Sequence, residues 1–489
     1  MRHYKKIIVT VPAVLCLAIG IIILMGQGNT LAVNECEEQT EQETSGQDTQ
    51  ESNPDEEIRQ SMKKPVITKV TNQREGIRIK WKAVQNADGY RIERDGKFKK
   101  NITSPEDTVF LDKKAKKNGK KYKYVVYAYR ILNGKKIKSE PSAVFAQYYL
   151  KTVKISEASR TENGDITITW TGNDKASGFQ IQYADKKNFR SAQSIYARKS
   201  TAVSKKITGL QVGKGVYIRI RSYKKVKSKE QYSPWSAPVL LTGWSSKWKY
   251  AGNSKIHSGT AVLYYTNVSD KKNKTVCVNA GHGTLGGESQ RTLCHPDGSP
   301  KVTGGTTAQG AVYSPSVSGG TTMADGTPEA EVNLMVAKLL KKKLLSDGYN
   351  VLMIRESSDV QLDNIARTIL ANKYADCHIA VHFDSTASDK GAFVITVPNI
   401  ASYRGMEPVA SHWKQHNDLA DKIVRGMKSE GVKIYGNGTN ELDLTQTSYS
   451  TVPSVDVEVG DTRTSLAKKS LETIANGLEK GVDTYLTRK

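Results

Sequence analysis

The sequence predicts a multidomain chain: two all-β sandwiches, then an α/β domain whose largely parallel sheet is flanked by helices. Three observations lead there. A block of residues recurs at a spacing of 89, and each copy consists of short alternating runs without a helical period. From about residue 274 the pattern changes, and apolar strands alternate with helix-length periodic segments. The 489 residues, at roughly 150 per domain, accommodate about three domains. With 37% hydrophobic residues, sizeable cores are expected, which excludes wholesale disorder and fibrous classes. Five cysteines are too few for a disulfide scaffold.

The chain opens on a basic flank, RHYKK at 2–6, followed by a weakly polar-to-apolar run of 19 residues over 7–25. That is the form of a secretory signal. Thr30-Leu31-Ala32 offers small residues at −3 and −1 for cleavage after Ala32. The run is also long enough to span a bilayer, so residues 1–32 are expected to be a signal peptide or a membrane anchor. Cys16, preceded by Leu15, reads as an apolar residue of this core rather than a lipidation site. Residues 35–57 hold ten acidic residues and no basic ones, so 33–62 is expected to be an acidic disordered linker. Export followed by a flexible stalk points to work at a cell surface.

The repeated block comes next. Trp81, Ala87, Gly89, Tyr90 and Ile92 recur as Trp170, Ala176, Gly178, Phe179 and Ile181. Runs such as GIRIKW (76–81), KYKYVVYAY (121–129), DITITW (165–170) and VYIRIRSY (216–223) alternate as half-buried strands do, and Asn133-Gly134 and Asn163-Gly164 mark turns. Tyr129 matches Tyr223, and Pro141 in SEPSA matches Pro234 in YSPWSA. On these residues both blocks resemble fibronectin type III modules, over 63–150 and 151–245. The resemblance places Tyr122 at a tyrosine corner, where the second copy has Val216. It implies a sandwich and says almost nothing about a ligand. Residues 246–273 are expected to be a linker.

The formal charge of +24 divides unevenly. Residues 1–62 carry −6, residues 63–250 carry +29 and residues 251–489 carry +1. A basic balance is the usual footprint of phosphate binding, but here it belongs to the β modules alone. In an exported protein it matches anionic wall polymers, phospholipid surfaces or extracellular DNA, and exposed solubilising lysines are the plainer alternative. No nucleic-acid motif, P-loop, nucleophile elbow or dinucleotide fingerprint is present, so specific nucleic-acid binding is not expected.

In the α/β region the strands are expected at 275–281, 349–354, 377–382, 391–397 and 452–459, with helices from Glu329, over 361–374, over 410–429 and at the end. Active sites in such sheets lie at the carboxyl ends of the strands. His282 follows the first strand between Gly281 and Gly283, Pro328-Glu329 opens the first long helix, His382 ends a central strand and Glu458 ends the last. Singly, a histidine after a strand is more often an edge residue, and a glutamate at a helix start complements the dipole. Together, two imidazoles and a carboxylate form a three-ligand zinc set with a fourth position for water, and a second carboxylate can move the proton.

The segments VCVNAGHG (276–283), EAEVNLMVAKLL (329–340), 348–385 and VPSVDVEVG (452–460) resemble the zinc-dependent N-acetylmuramoyl-L-alanine amidases, and this resemblance covers 274–489. It implies Zn2+ as cofactor, His282, Glu329 and His382 as its ligands, Glu458 as catalytic residue and peptidoglycan as substrate. The bond would be the amide joining N-acetylmuramic acid to L-alanine. Arg355 and Arg367 fall at recurrent positions read as structural. Asn279-Ala280 and Asp461 depart from the family pattern, and 46 residues separate His282 from Glu329. This insert, 284–328, is rich in Gly, Ser and Thr and is expected either to gate the site or contact substrate, or to be a passive excursion.

Other candidates are weaker. His412 and His416, four apart on a helix, are expected on a solvated face. His378 is expected to be packed or exposed rather than catalytic. His295 and Cys294 lie in the insert and are candidates to approach the zinc, Cys294 as an inhibitory ligand. Cys277 and Cys377 read as core. The leading expectation is an exported peptidoglycan hydrolase held at the cell wall by basic modules, in contact with membrane only if the leader is retained. The alternative is a catalytically inactive wall-binding or adhesive protein.

Overall fold

The alternating runs of the first repeat form two facing sheets. Strands Ile67–Gln73, Gly76–Trp81 and Val109–Asp112 make one. Strands Lys97–Ile102, Gly89–Arg94, Lys121–Leu132 and Lys135–Lys138, with Phe145–Tyr148 added to the third, make the other. Ile77, Ile79 and Trp81 of the first sheet pack against Tyr90, Ile92, Tyr124 and Val126 of the second. Asn133 and Gly134 both take positive φ (49° and 77°), the geometry of a two-residue hairpin turn. The Tyr122 hydroxyl accepts from the Lys117 N–H at 3.2 Å, closing a corner five residues upstream.

The second repeat builds the same pair of layers. Trp170 packs on Phe179 with ring centroids 5.4 Å apart, as Trp81 does on Tyr90 at 5.2 Å. The closing segments also act alike. Ser139 and Ser142 accept from the N–H groups of Ala128 and Val126, and Ser233 and Ser236 accept from Ser222 and Ile220. Serines there satisfy strand donors that no neighbouring strand reaches.

The computed structural model describes residues 53–487. The expected signal or anchor over 1–32 and the linker up to residue 52 lie outside the described residues. The linker expectation for 33–62 does not hold at its end, where Pro54–Ser61 is a helix. Acidic residues 55–57 complement its N-terminus, and Ile58 and Met62 pack onto the first module's core. Among the described residues no helix is long and apolar enough to cross a membrane.

The expected linker over 246–273 is likewise structured. Val262–Tyr264 pairs antiparallel with Val239–Leu241 of the second module on one side and with Asn350–Met353 on the other. The second module's larger sheet therefore runs without a break into the C-terminal sheet. Three buried residues, Val262, Leu263 and Tyr264, suffice because neighbours cover both edges. Upstream, Trp244 and Trp248 pack near the helix Asn364–Tyr374, and Asp363 accepts from the N–H groups of Lys255 and Ile256 at 2.6 and 2.9 Å. From Pro54 onward the described chain is one compact unit.

In the C-terminal sheet, Asn350–Met353, Thr275–Ala280, Cys377–Asp384 and Ser454–Asp461 are successively parallel. Ala392–Thr396 then joins antiparallel and Ile434–Glu441 pairs parallel with it. Helices Glu329–Ser346, Val409–Ser429 and Lys468–Thr487 share one core with Val276, Val278 and Val381, whereas helix Asn364–Tyr374 packs with Cys277 and Leu352 on the other face. Strand Ile434–Glu441 has no apolar alternation, its sequence being IYGNGTNE on an exposed edge, and pattern reading passes over it.

Candidate metal centre

Each proposed ligand is placed by a local device. Beyond strand Thr275–Ala280 the chain turns at His282 (φ 60°) and Gly283 (φ 70°), so the histidine itself occupies the left-handed region. Two buried guanidinium groups hold this turn. Arg355 donates from Nε to Ala280 O at 3.0 Å and from Nη2 to Gly281 O at 2.8 Å. Arg367 donates from Nη2 to His282 O and to Thr284 Oγ1, both at 2.7 Å. Burial lowers their pKa values to about 10 and about 9, still cationic at neutral pH. Glu329 is the first residue of its helix, after Pro328. His382 lies within strand Cys377–Asp384, directly opposite Glu458 on the neighbouring parallel strand.

Three donor atoms converge. His282 Nε2 lies 2.9 Å from Glu329 Oε1 and 3.0 Å from His382 Nδ1, and His382 Nδ1 lies 3.1 Å from Glu329 Oε1. Ligands of a tetrahedral zinc at 2.0–2.1 Å sit about 3.3 Å from one another, close to this triangle. The protonation pattern fits as well. Ser318 O lies 2.7 Å from His282 Nδ1 and can only accept, so that nitrogen carries the proton. Nε2 faces the Glu329 carboxylate at 2.9 Å, so either a second ring proton or a metal ion lies between them. Among the described residues this is the one group of three or more His, Cys, Asp or Glu side chains spaced to hold a metal.

The electrostatics agree. Burial alone would raise the Glu329 pKa, but hydrogen bonds to His282 and His382 hold it well below the usual carboxylate range. Burial would lower the His382 pKa, yet Asp456, Glu329 and Glu458 push it up to about 9. Burial pushes Glu458 up to about 8; His382 opposes, and Asp456, Glu329 and Asp384 add to the rise. Glu458 Oε2 and Asp456 Oδ1 are buried without a protein partner. Glu329, Asp456 and Glu458 all act on His382, and a divalent cation at the triad would offset the repulsion among these carboxylates.

Asp456 escaped the sequence reading. Its Oδ2 lies 3.7 Å from His382 Nε2, on the side of the ring away from the other ligands. The signal was present in PSVDVEVG: acidic residues two apart in an apolar strand share one face.

The triad opens into a cleft of about 550 Å³. The insert lines it through Gly304–Thr307, Ser314, Pro315 and Val317–Thr321, and residues 442–446 also contribute to the lining. The insert carries its own hairpin, Arg291–Leu293 with Tyr313–Pro315. A buried charge cluster ties it down. Asp443 accepts from His295 Nε2 at 3.0 Å, from Lys301 Nζ at 2.8 Å and from the Val302 N–H at 2.7 Å. His295 is therefore engaged away from the triad. Cys294 lines the cleft but is not among the converging ligands, and burial raises its pKa.

The other histidines differ from expectation in one respect. His412 donates from Nδ1 to Pro408 O at 2.8 Å, but His416 is buried rather than solvated, and its Nδ1 accepts from the Ser454 N–H at 2.9 Å. Val409, Leu419 and Ile423 set the buried stripe of that helix, and His416 falls on it. His378 is buried with neither nitrogen bonded to protein. Cys277 and Cys377 are buried in adjacent strands.

Burial lowers the pKa of both His378 and His416 to about 3, with Arg367 and His412 respectively the next contributors. Folded pKa values below the unfolded 6.5 mean that this stability is full above pH 6.5 and is lost as pH falls toward 3. At pH 5 the loss is up to about 2 kcal/mol per histidine. Urea midpoints should fall between pH 7.5 and pH 5, and His378→Leu should flatten that fall; an unchanged slope would contradict the assignment.

Comparison with known proteins adds the following. Residues 276–482 match the family described as N-acetylmuramoyl-L-alanine amidase. Among solved structures, the apo N-acetylmuramyl-L-alanine amidase Ami1 from Mycobacterium abscessus is 18% identical, covering 44% of this chain and 99% of that one, with a TM-score of 0.36. The N-acetylmuramoyl-L-alanine amidase from Clostridium difficile 630 is 22% identical, covering 44% and 98%, with a TM-score of 0.31. The FN1–FN3 domains of chicken CNTN1 are 17% identical, covering 37% and 66%, with a TM-score of 0.22. Comparison with curated proteins yields no match. The family match makes the C-terminal region an N-acetylmuramoyl-L-alanine amidase domain, and the chain an enzyme of that class.

Proposed function

We propose that the chain is an exported, zinc-dependent peptidoglycan hydrolase that cuts the amide between N-acetylmuramic acid and the L-alanine of the stem peptide. The observation that carries this is the convergence of His282, Glu329 and His382 beside Glu458 within the amidase domain. Zinc held by those three side chains would supply Lewis acidity to a bound water and to the scissile carbonyl.

The rest is the work of the chain. Ser318 O and the Arg367 clamp orient His282. Glu458 projects from the strand beside His382, and its Oε2 is free of protein hydrogen bonds and ready to take a proton. Burial and neighbouring carboxylates raise its pKa, whereas a cation at the triad opposes both causes. A carboxyl balanced in this way can accept a proton from the attacking water and return it to the departing L-alanine nitrogen. Zinc and the two fibronectin type III-like modules remain parts of this proposal, as does export, which rests on residues 1–32.

The basic modules are assigned the role of wall retention. They carry +29 between residues 63 and 250, with Lys97, Lys100, Lys121, Lys123 and Lys135 exposed on one sheet of the first module. An anionic wall polymer is the matching partner for an exported protein.

Mass analysis of the products from purified peptidoglycan tests the reaction. Release of intact stem peptides with a free L-alanine amine, abolished by a chelator and restored by zinc, is expected. A different cleaved bond, or release that persists under chelation, would overturn it. Full wall binding without any cleavage would favour the adhesive alternative.

A further inference from the structure

The insert returns to the metal centre through Ser318–Thr321, and this arm touches two of the three ligands. His282 Nδ1 donates to Ser318 O at 2.7 Å, with Ser318 Oγ a further 3.3 Å contact. The Thr321 N–H donates to Glu329 Oε2 at 2.9 Å, and the Glu329 N–H donates back to Thr321 O at 2.9 Å. Between them, Gly320 (φ 87°) lies flat against both side chains. A Cβ at Gly320 would stand 2.8 Å from His282 Cδ2 and 3.0 Å from Glu329 Oε2.

We propose that this arm is a strap that positions the metal ligands, so that the insert is a structural part of the metal centre and not a lid over it. The inference rests on the metal reading above. It explains what each contact does. The Ser318 carbonyl selects the tautomer of His282 that leaves Nε2 bare for a metal. The Thr321 amide occupies one oxygen of Glu329 and turns the other, Oε1, toward His282 and His382. Asn333 Nδ2 and the Phe383 N–H hold Oε1 from the remaining sides at 3.0 and 3.1 Å.

A strap works only from fixed anchors, and both ends have them. Ser316 is buried, donates from Oγ to Gly287 O at 2.8 Å and accepts at its carbonyl from the Asn364 N–H at 3.1 Å. Gly319 donates to Glu288 Oε1 at 2.7 Å. Farther out, the Asp443 cluster secures the body of the insert to the 442–446 segment of the cleft lining. At the C-terminal end Pro328 and Glu329 enter the helix directly.

The test is zinc affinity of the full chain, measured by competition with a chromophoric chelator. Gly320→Ala is expected to weaken zinc binding by about 10–100-fold, the range for loss of groups that orient ligands. Gly310→Ala is the matched control: Gly310 has the same φ of 87°, but a Cβ there meets nothing within 4 Å, so it carries the same backbone strain without the contact. Its affinity should stay near that of the wild type. Wild-type affinity in Gly320→Ala, or equal losses in both variants, would overturn the strap. Should Gly320→Ala fail to fold, hydrogen exchange on the wild type decides. Zinc should slow exchange at the Thr321 amide, and indifference to zinc there would overturn the proposal. A wild-type chain that binds no zinc would instead refute the metal reading itself.

Discussion

Glu458→Gln is expected to lower the rate of L-alanine amine release from peptidoglycan by about 10²–10⁴-fold, the usual contribution of a positioned acid–base group. The variant should keep its zinc and its thermal transition. Glu458 Oε2 has no protein hydrogen bond to lose, and the amide preserves the side chain's shape beside His382. The loss should fall on kcat, since the proton moves during reaction rather than on binding. Turnover within about tenfold of wild type would remove Glu458 from its assigned role and leave Asp456, two residues away on the same face, as the carboxylate to examine.

The second large effect concerns folding. A chain beginning at residue 274, where the amidase resemblance starts, is expected not to yield a stable soluble domain. It lacks Val262–Tyr264, the strand that covers one edge of Asn350–Met353. Val262, Leu263 and Tyr264 are buried, and loss of each such side chain costs about 1.5–3 kcal/mol of burial. Their sum approaches the whole net stability of an ordinary domain, about 5–15 kcal/mol, and the uncovered edge invites aggregation. A chain beginning at 151 keeps that strand, its partner Val239–Leu241, and the contacts of Lys338 and Lys341 with Glu157 and Ser156 O. It should be soluble and unfold in one transition. Soluble, cooperatively unfolding 274–489 would show that the continuous sheet is dispensable.

Some of this molecule is written locally, and that part was readable. The repeat at a spacing of 89 marks two sandwiches because Trp81 with Tyr90, and Trp170 with Phe179, fill equivalent positions. The strand and helix segments after 274 follow their hydrophobic periods to within a few residues. His282, Glu329, His382 and Glu458 stood out because glycines, a helix start and strand ends mark where side chains gather in an α/β sheet.

Other features have no local signature. Val262–Tyr264 is three residues long and is a strand only because Val239–Leu241 and Asn350–Met353 flank it. Edge strand Ile434–Glu441 pairs by backbone with Ala392–Thr396, and its apolar contacts, Ile434 on the core and Tyr435 beside Phe393, are too few to leave a period. His416 is buried because its helix turns that face to the core, and Asp443 matters only because the insert folds onto it.

The sequence by itself determined the division of charge and singled out the four candidate residues by residue type, position at strand and helix ends, and family resemblance. Only the tertiary structure decided that the second module and the catalytic domain share one sheet, that Asp456 stands behind His382, and that the insert straps the ligands. Those depend on contacts between residues far apart in the chain, which no local pattern encodes.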